Sequence, residues 1–111
     1  MNLRQSAYLA IAVAALLLTG YHNLQFVQAG GGTFSLSAFI DGVFANHASA
    51  SIGWDITMAC LAFVIWMLHE AKRIGMRHVW VYVLVTFLIA FGVAAPLFLF
   101  MRDRHLARKI A

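Results

Sequence analysis

Residues 79–101 read Val79-Trp80-Val81-Tyr82-Val83-Leu84-Val85-Thr86-Phe87-Leu88-Ile89-Ala90-Phe91-Gly92-Val93-Ala94-Ala95-Pro96-Leu97-Phe98-Leu99-Phe100-Met101. The run is uncharged, and Arg102 closes it. A helix rises 1.5 Å per residue, so about 20 apolar residues cross the hydrocarbon core of a bilayer. The stretch therefore reads as a transmembrane helix, and as the strongest such signal in the chain. Pro96 near its far end is tolerated where neighbouring helices satisfy the freed carbonyl. Composition agrees with that reading. The 111 residues are 63% hydrophobic and 11% charged, against about half and a quarter in soluble domains. A soluble fold this short has too little interior to hide so much apolar surface. A water-soluble enzyme and a disordered chain are both excluded.

Before the run lies a short basic loop, Lys72 to His78, with Gly75 placed to end a helix. Residues 53–70 form a second expected span, in which Asp55 is the only charge before Glu70. Residues 46–51 are a polar connector, with Ser49 or Ser51 able to cap that span. Upstream, Leu36, Phe39, Ile40, Val43 and Phe44 recur at helical spacing, with Ser37 and Asp41 off the stripe. This predicts a short amphipathic helix over about 34–46, lying at the membrane interface or folded over the bundle. Gly30-Gly31-Gly32 is a hinge before it. Residues 6–26 form the expected first span. A cleaved signal peptide, with Val27-Gln28-Ala29 as its site, is the alternative. It is disfavoured because that site lies far beyond the apolar core. The expected architecture is a single all-α transmembrane domain with three spans and one interfacial helix.

Three spans put the termini on opposite faces. Arg4, Lys72, Arg73 and Arg77 then share one side, and Arg102, Arg104, Arg108 and Lys109 the other. The positive-inside rule ties on that count. Only the connector between the first two spans, which has no Lys or Arg, tips the orientation to N-terminus in and C-terminus out. The net charge of +4 is read as topology and lipid headgroup contact, and nucleic acid is not an expected partner. Cys60 is the only cysteine, so no intrachain disulfide is available, and it reads as packing.

Asp55, Ala59, Ala62, Trp66, His69 and Arg73 recur at steps of three and four along the second span, with Glu70 within about 60° of Asp55. This polar face is expected to look into the bundle, because ionisable groups facing lipid are costly. With three spans, Arg102 ends on the same side as Asp55 and pairs with it. His22 and Asn23 end the first span there too. The expected site is thus a polar cluster of His22, Asn23, Asp55, Trp66 and Arg102, structural or ligand-binding. Glu70 and Arg73 form an i,i+3 ion pair at the opposite interface. Asp55 and Glu70 are about 22 Å apart along the helix, so they cannot serve one small substrate as an acid–base pair. No histidine pair has zinc spacing, and no P-loop, dinucleotide fingerprint or nucleophile elbow occurs. No catalytic residue, metal ligand or cofactor is assigned.

Trp54-Asp55, Phe63-Val64-Ile65-Trp66-Met67, Glu70-Ala71-Lys72-Arg73-Ile74-Gly75-Met76-Arg77, and Pro96-Leu97-Phe98-Leu99 followed by Arg102 resemble the bacterial domain-of-unknown-function family 2834. The resemblance covers about residues 20–104 and is most specific from Trp54 to Arg77. It implies a small integral membrane protein of about three spans with no established activity. By likeness, Asn23, Asp55, Trp66, Glu70, Arg73, Pro96 and Arg102 match the family's recurring positions. The expected function is a non-catalytic accessory or self-associating subunit in the bacterial inner membrane, multi-pass, with lipids and a second membrane protein as partners. The alternative is a binder, or transformer, of a lipid-soluble ligand such as a quinone or isoprenoid, held at the Asp55 end. A small proton-coupled transporter is disfavoured, because the first span has no acidic residue.

Overall fold

A computed structural model describes residues 2–110, with the side chains of 2–108. Five helices follow one another: α1 Leu3–Ala29, α2 Leu36–Val43, α3 His47–Ile74, α4 Val79–Leu88 and α5 Phe91–Ile110. Each boundary has a local cause. The Asn2 side chain accepts the Gln5 N–H at 2.8 Å and starts α1. The glycine hinge ends it, with Gly31 and Gly32 at positive φ. Ser35 caps α2 through the Ala38 N–H. Asn46 starts α3 by accepting the Ser49 N–H at 2.8 Å. The expected 46–51 connector is therefore the cap and first turn of a longer helix, and the cap is Asn46 rather than Ser49 or Ser51. Ser49 instead donates its hydroxyl to the Val43 carbonyl at 2.6 Å, tying α3 to the end of α2. Gly75 ends α3 in the left-handed region, as its place in the sequence predicts.

α1 and α3 are each long and apolar enough to cross a membrane. The expected third span is not one helix. α4 has ten residues, about 15 Å of rise. Ile89 leaves helical geometry at φ −116°, ψ −75°, and the Ala90 N–H reaches back to Val85. The chain then reverses. Tyr82 of α4 stacks edge-on against Phe98 of α5 at 5.5 Å, so the two helices form an antiparallel hairpin. α5 runs parallel to α3: Trp66 meets Phe98 at 5.8 Å, Glu70 meets Arg102, and the Ile74 carbonyl meets His105. It runs antiparallel to α1, with Gly92 beside Ala15 and Asp103 beside Arg4. Both ends of the described chain thus lie at one end of the bundle, not on opposite sides.

The break has physical causes in the sequence. Val79, Val81, Val83, Val85, Thr86 and Ile89 are β-branched, which lowers helix propensity. Gly92 and Pro96 follow within seven residues of Ile89. Pro96 lies inside α5 and leaves the Gly92 carbonyl without the N–H of a regular helix bond. Gly92 lets α5 approach α1 closely: a Cβ there would sit 3.3 Å from the Ala15 Cβ.

The core lies in the half of the bundle that the hairpin occupies. Met67, Ala71, Tyr82 and Phe98 are buried together, wrapped by Phe63, Val64, Val79, Val83, Leu97 and Met101. α3 turns Cys60, Met67, Glu70, Ala71 and Ile74 inward. Apart from Glu70, these residues lie roughly 100–160° around the helix from Asp55. The line Asp55, Ala59, Ala62, Trp66, His69, Arg73, expected to face inward, is on the exposed face. Its polar and small residues pattern a surface of α3, whereas α3 packs into the bundle through Cys60, Met67, Ala71 and Ile74.

Candidate functional site

The reversal at Ile89–Ala90 splits the expected polar cluster in two. At the hairpin's open end, where α4 begins and α5 finishes, Arg102 reaches Glu70 and Asp103, each at 3.7 Å. Its guanidinium also lies 5.9 Å from the Trp66 ring. Asp55 is on the other half of α3, so the expected Asp55–Arg102 pair does not form. The physical reason is direction: α5 descends alongside α3 and carries Arg102 to the Glu70 end. The expected Glu70–Arg73 pair is present, and Arg102 joins it from α5.

Two further residues complete this charged end. The Arg4 Nε donates to the Asp103 Oδ2 at 2.8 Å, tying α1 to α5. The His105 Nε2 lies 2.8 Å from the Ile74 carbonyl, tying α5 to the last turn of α3. Asp103 is nearly buried while Arg4 is 65% exposed. Neither pair entered the sequence reading. One signal was available: Asp103 is the only carboxylate among the five charges of residues 102–109, an isolated anion that calls for a distant cation.

At the other end the hairpin is missing, and space takes its place. A cavity of about 720 Å³ lies between α1, α2, α3 and the Ile89–Gly92 turn, lined by Thr19, Asn23, Phe39, Ile40, Val43, Ile56, Thr57 and Ile89 among others. A second, of about 480 Å³, sits between α1 and α2 and includes His22 and Asn23. A third, of about 620 Å³, runs from Phe34 to Phe87 and again includes Asn23. Asn23 is half-buried and stands where all three meet. Its amide offers a carbonyl acceptor and two N–H donors. The Thr19 and Thr57 hydroxyls are already given to the Ala15 and Gly53 carbonyls at 2.7 Å. Asp55 lines none of these cavities and is exposed on the far side of α3. Of the five expected cluster residues, the structure brings His22 to Asn23 and Trp66 to Arg102.

α2 roofs this space. Phe39 of α2 packs edge-on to Phe26 of α1 at 5.4 Å, and Phe44 meets Trp54 of α3 at 5.6 Å. Gly53 is required beneath it, since a Cβ there would lie 2.5 Å from the Val43 Cγ1. The site is thus an apolar chamber with one central amide, and it suits a mostly apolar molecule carrying one hydrogen-bonding group. Among the described residues no group of three or more His, Cys, Asp or Glu is placed to hold a metal ion.

The family model for proteins of unknown function DUF2834 matches residues 7–104. The chain belongs to this family. The DUF2834 match takes in most of α1, all of α2, α3 and α4, and α5 as far as Arg104, and it extends further toward the N-terminus than residue 20, where the resemblance is expected to begin. No curated protein and no solved structure matches.

Proposed function

We propose that this DUF2834 protein is a two-span membrane protein whose half-length α4–α5 hairpin leaves a chamber in one leaflet for a lipid-soluble ligand. The observation that carries the reading is the cavity of about 720 Å³ above the hairpin turn, within the roughly 300–1,000 Å³ of ordinary small-molecule sites. Phe39, Ile40 and Ile56 surround an apolar body, and Asn23 meets one carbonyl or hydroxyl, as a quinone or isoprenoid offers. α1 and α3 cross the bilayer. The hairpin enters and leaves by one face, and the N–H groups at its turn are satisfied locally, Ile89 and Ala90 both donating to the Val85 carbonyl. Arg4, Lys72, Arg73, Arg77, Arg102, Arg104 and Arg108 then share one end, and the α2 end has no Lys or Arg. Lys109, whose side chain lies outside the described residues, follows them in α5. The charge tie of a three-span reading becomes a one-sided count, which puts both termini in the cytoplasm of a bacterial cell.

Two measurements test this. A reporter that works only in the cytoplasm is fused to either terminus, and both fusions are expected to be active; activity at one terminus alone returns residues 79–101 to a full span. Protein purified gently is then extracted and its lipids are weighed by mass spectrometry. One stoichiometric isoprenoid-like molecule is expected, lost on filling the chamber with Thr57→Phe. Lipid of bulk composition, unchanged by Thr57→Phe, overturns the binder reading.

A second reading, an accessory or self-associating subunit, draws on the exposed stripe of α3. Asp55 on the open face of a spanning helix is costly unless another helix covers it. Chemical crosslinking of a cysteine at Ala59 or Ala62 tests this reading, and a monomer in every membrane preparation removes it.

A further inference from the structure

The loop between α3 and α4 curls over a separate pocket. Gly75 and His78 both take left-handed backbone angles, φ +75° and +62°, and these two bends turn residues 75–78 toward the C-terminal part of α5. The space between them is about 350 Å³ and is lined by Arg77, His78, Tyr82, His105 and Arg108 with Gly75 and two methionines. Two guanidiniums and two imidazoles thus converge from a loop and a helix, and among the described residues no carboxylate lines the space.

The carboxylates described at this end are already taken. Glu70 is held by Arg73 and Arg102, and Asp103 by Arg4 and Arg102. Among the described residues neither Arg77 nor Arg108 is in an ion pair. Like charges brought together without a counter-charge are unfavourable. The His78 side chain, which occupies the N-cap position of α4, makes no capping bond, so the first N–H groups of that helix add further positive potential beside the pocket. His105 donates its Nε2–H to the Ile74 carbonyl and so anchors this wall of the pocket. The Tyr82 hydroxyl is a further donor.

We propose that this pocket binds a phosphate group. The donors approach from the loop, from α4 and from α5, an arrangement that suits a tetrahedral oxyanion with several oxygens better than a planar carboxylate. Arg77 and Arg108 are the two forks that grip it. Arg77, His78 and Arg108 are exposed at the rim of the pocket, while Tyr82 and Met101 form its apolar side, so the phosphate of a lipid headgroup and a free phosphate both reach it. The chamber at the opposite end plays no part in this binding.

Full-length protein in detergent, stripped of lipid, tests the site with three probes: inorganic phosphate, phosphatidylglycerol, and diacylglycerol, which lacks the phosphate. Phosphate is followed by thermal shift, and the two lipids by native mass spectrometry. Binding of phosphatidylglycerol alone assigns a headgroup, and stabilisation by inorganic phosphate assigns a soluble source; either supports the site. Arg77→Gln and Arg108→Gln are each expected to weaken binding roughly tenfold, the loss of one charge-assisted contact. Arg104→Gln removes the same charge outside the pocket and is expected to leave affinity within roughly twofold. Equal loss from all three variants reveals diffuse attraction and overturns the proposal. So does diacylglycerol binding as well as phosphatidylglycerol, or no binding of any probe. Should a variant fail to fold, the unmodified protein still decides the matter: bound phosphate or phosphatidylglycerol protects Arg77 and Arg108, but not Arg104, from phenylglyoxal, and equal labelling of all three overturns the site.

Discussion

The two ends of the bundle share α1 and α3 and differ in what stands between them. At the Glu70 end the α4–α5 hairpin fills the space, Phe98 is fully buried, and ion pairs join α1, α3 and α5. At the Asn23 end the hairpin is absent, α2 lies across the top, and cavities open between the helices. One element of half length therefore makes one half of the molecule a clamp and the other half a container. On the proposed reading, stability and binding are separated along the bundle axis, and substitutions in the two halves should have different readouts.

The largest stability effect belongs to the packed half. Phe98→Ala empties a site touched by Phe63, Trp66 and Tyr82. It is expected to cost about 3 kcal/mol, read as a lower Tm in detergent, whereas Asn23→Ala leaves Tm nearly unchanged and alters ligand retention. Equal losses from the two would erase the contrast between the ends. Next comes the roof of the container. Gly53→Ala places a Cβ against Val43, and the cost is expected near 1–2 kcal/mol as α2 shifts or Val43 rotates. Freer labelling of a cysteine at Ser37 or Phe39 would report that movement. If labelling does not change, α2 is not seated on Gly53.

A smaller effect tests the clamp. Arg4→Gln removes the Asp103 partner, but Arg4 is 65% exposed, so the pair is worth about 0.5–1 kcal/mol and less at high salt. A much larger loss would mean that membrane or partner shields the pair from water. The smallest effect is expected at Asp55. Exposed on α3 and in no ion pair among the described residues, it should tolerate Asp55→Asn within about 0.5 kcal/mol in monomeric protein. Destabilisation that appears only in the membrane, and not in monomeric detergent preparations, would point to a covering helix.

Much of the local structure could be read from the residues. The apolar stretch after Ser6, the amphipathic spacing around Phe39, the cap at Gly75 and the Glu70–Arg73 pair are all short-range features, set by neighbours within one or two turns. Asn23 and His22 entered the expected site for their place at the end of the first helix, and that place does put them at the container. Asp55 and Arg102 were joined to them by topology alone, and a wrong direction for one helix displaced both.

By itself, then, the sequence determined an all-helical chain with long apolar helices, an amphipathic connector and basic residues at helix ends. It also determined membership of its family, through residues spread from one end of the match to the other. Only the tertiary structure decided that residues 79–101 turn back at Ile89, and that α3 packs through Met67 and Ala71 with Asp55 turned away. The reason is physical. Twenty-three apolar residues suffice for one full crossing or for two half-crossings, and hydropathy scores both alike. The polar stripe of α3 marks a face, and periodicity alone does not say whether that face meets the bundle or turns outward. Direction and facing were settled by side chains far apart in sequence: Ala15 against Gly92, Arg4 against Asp103, and Phe98 among Phe63, Trp66 and Tyr82.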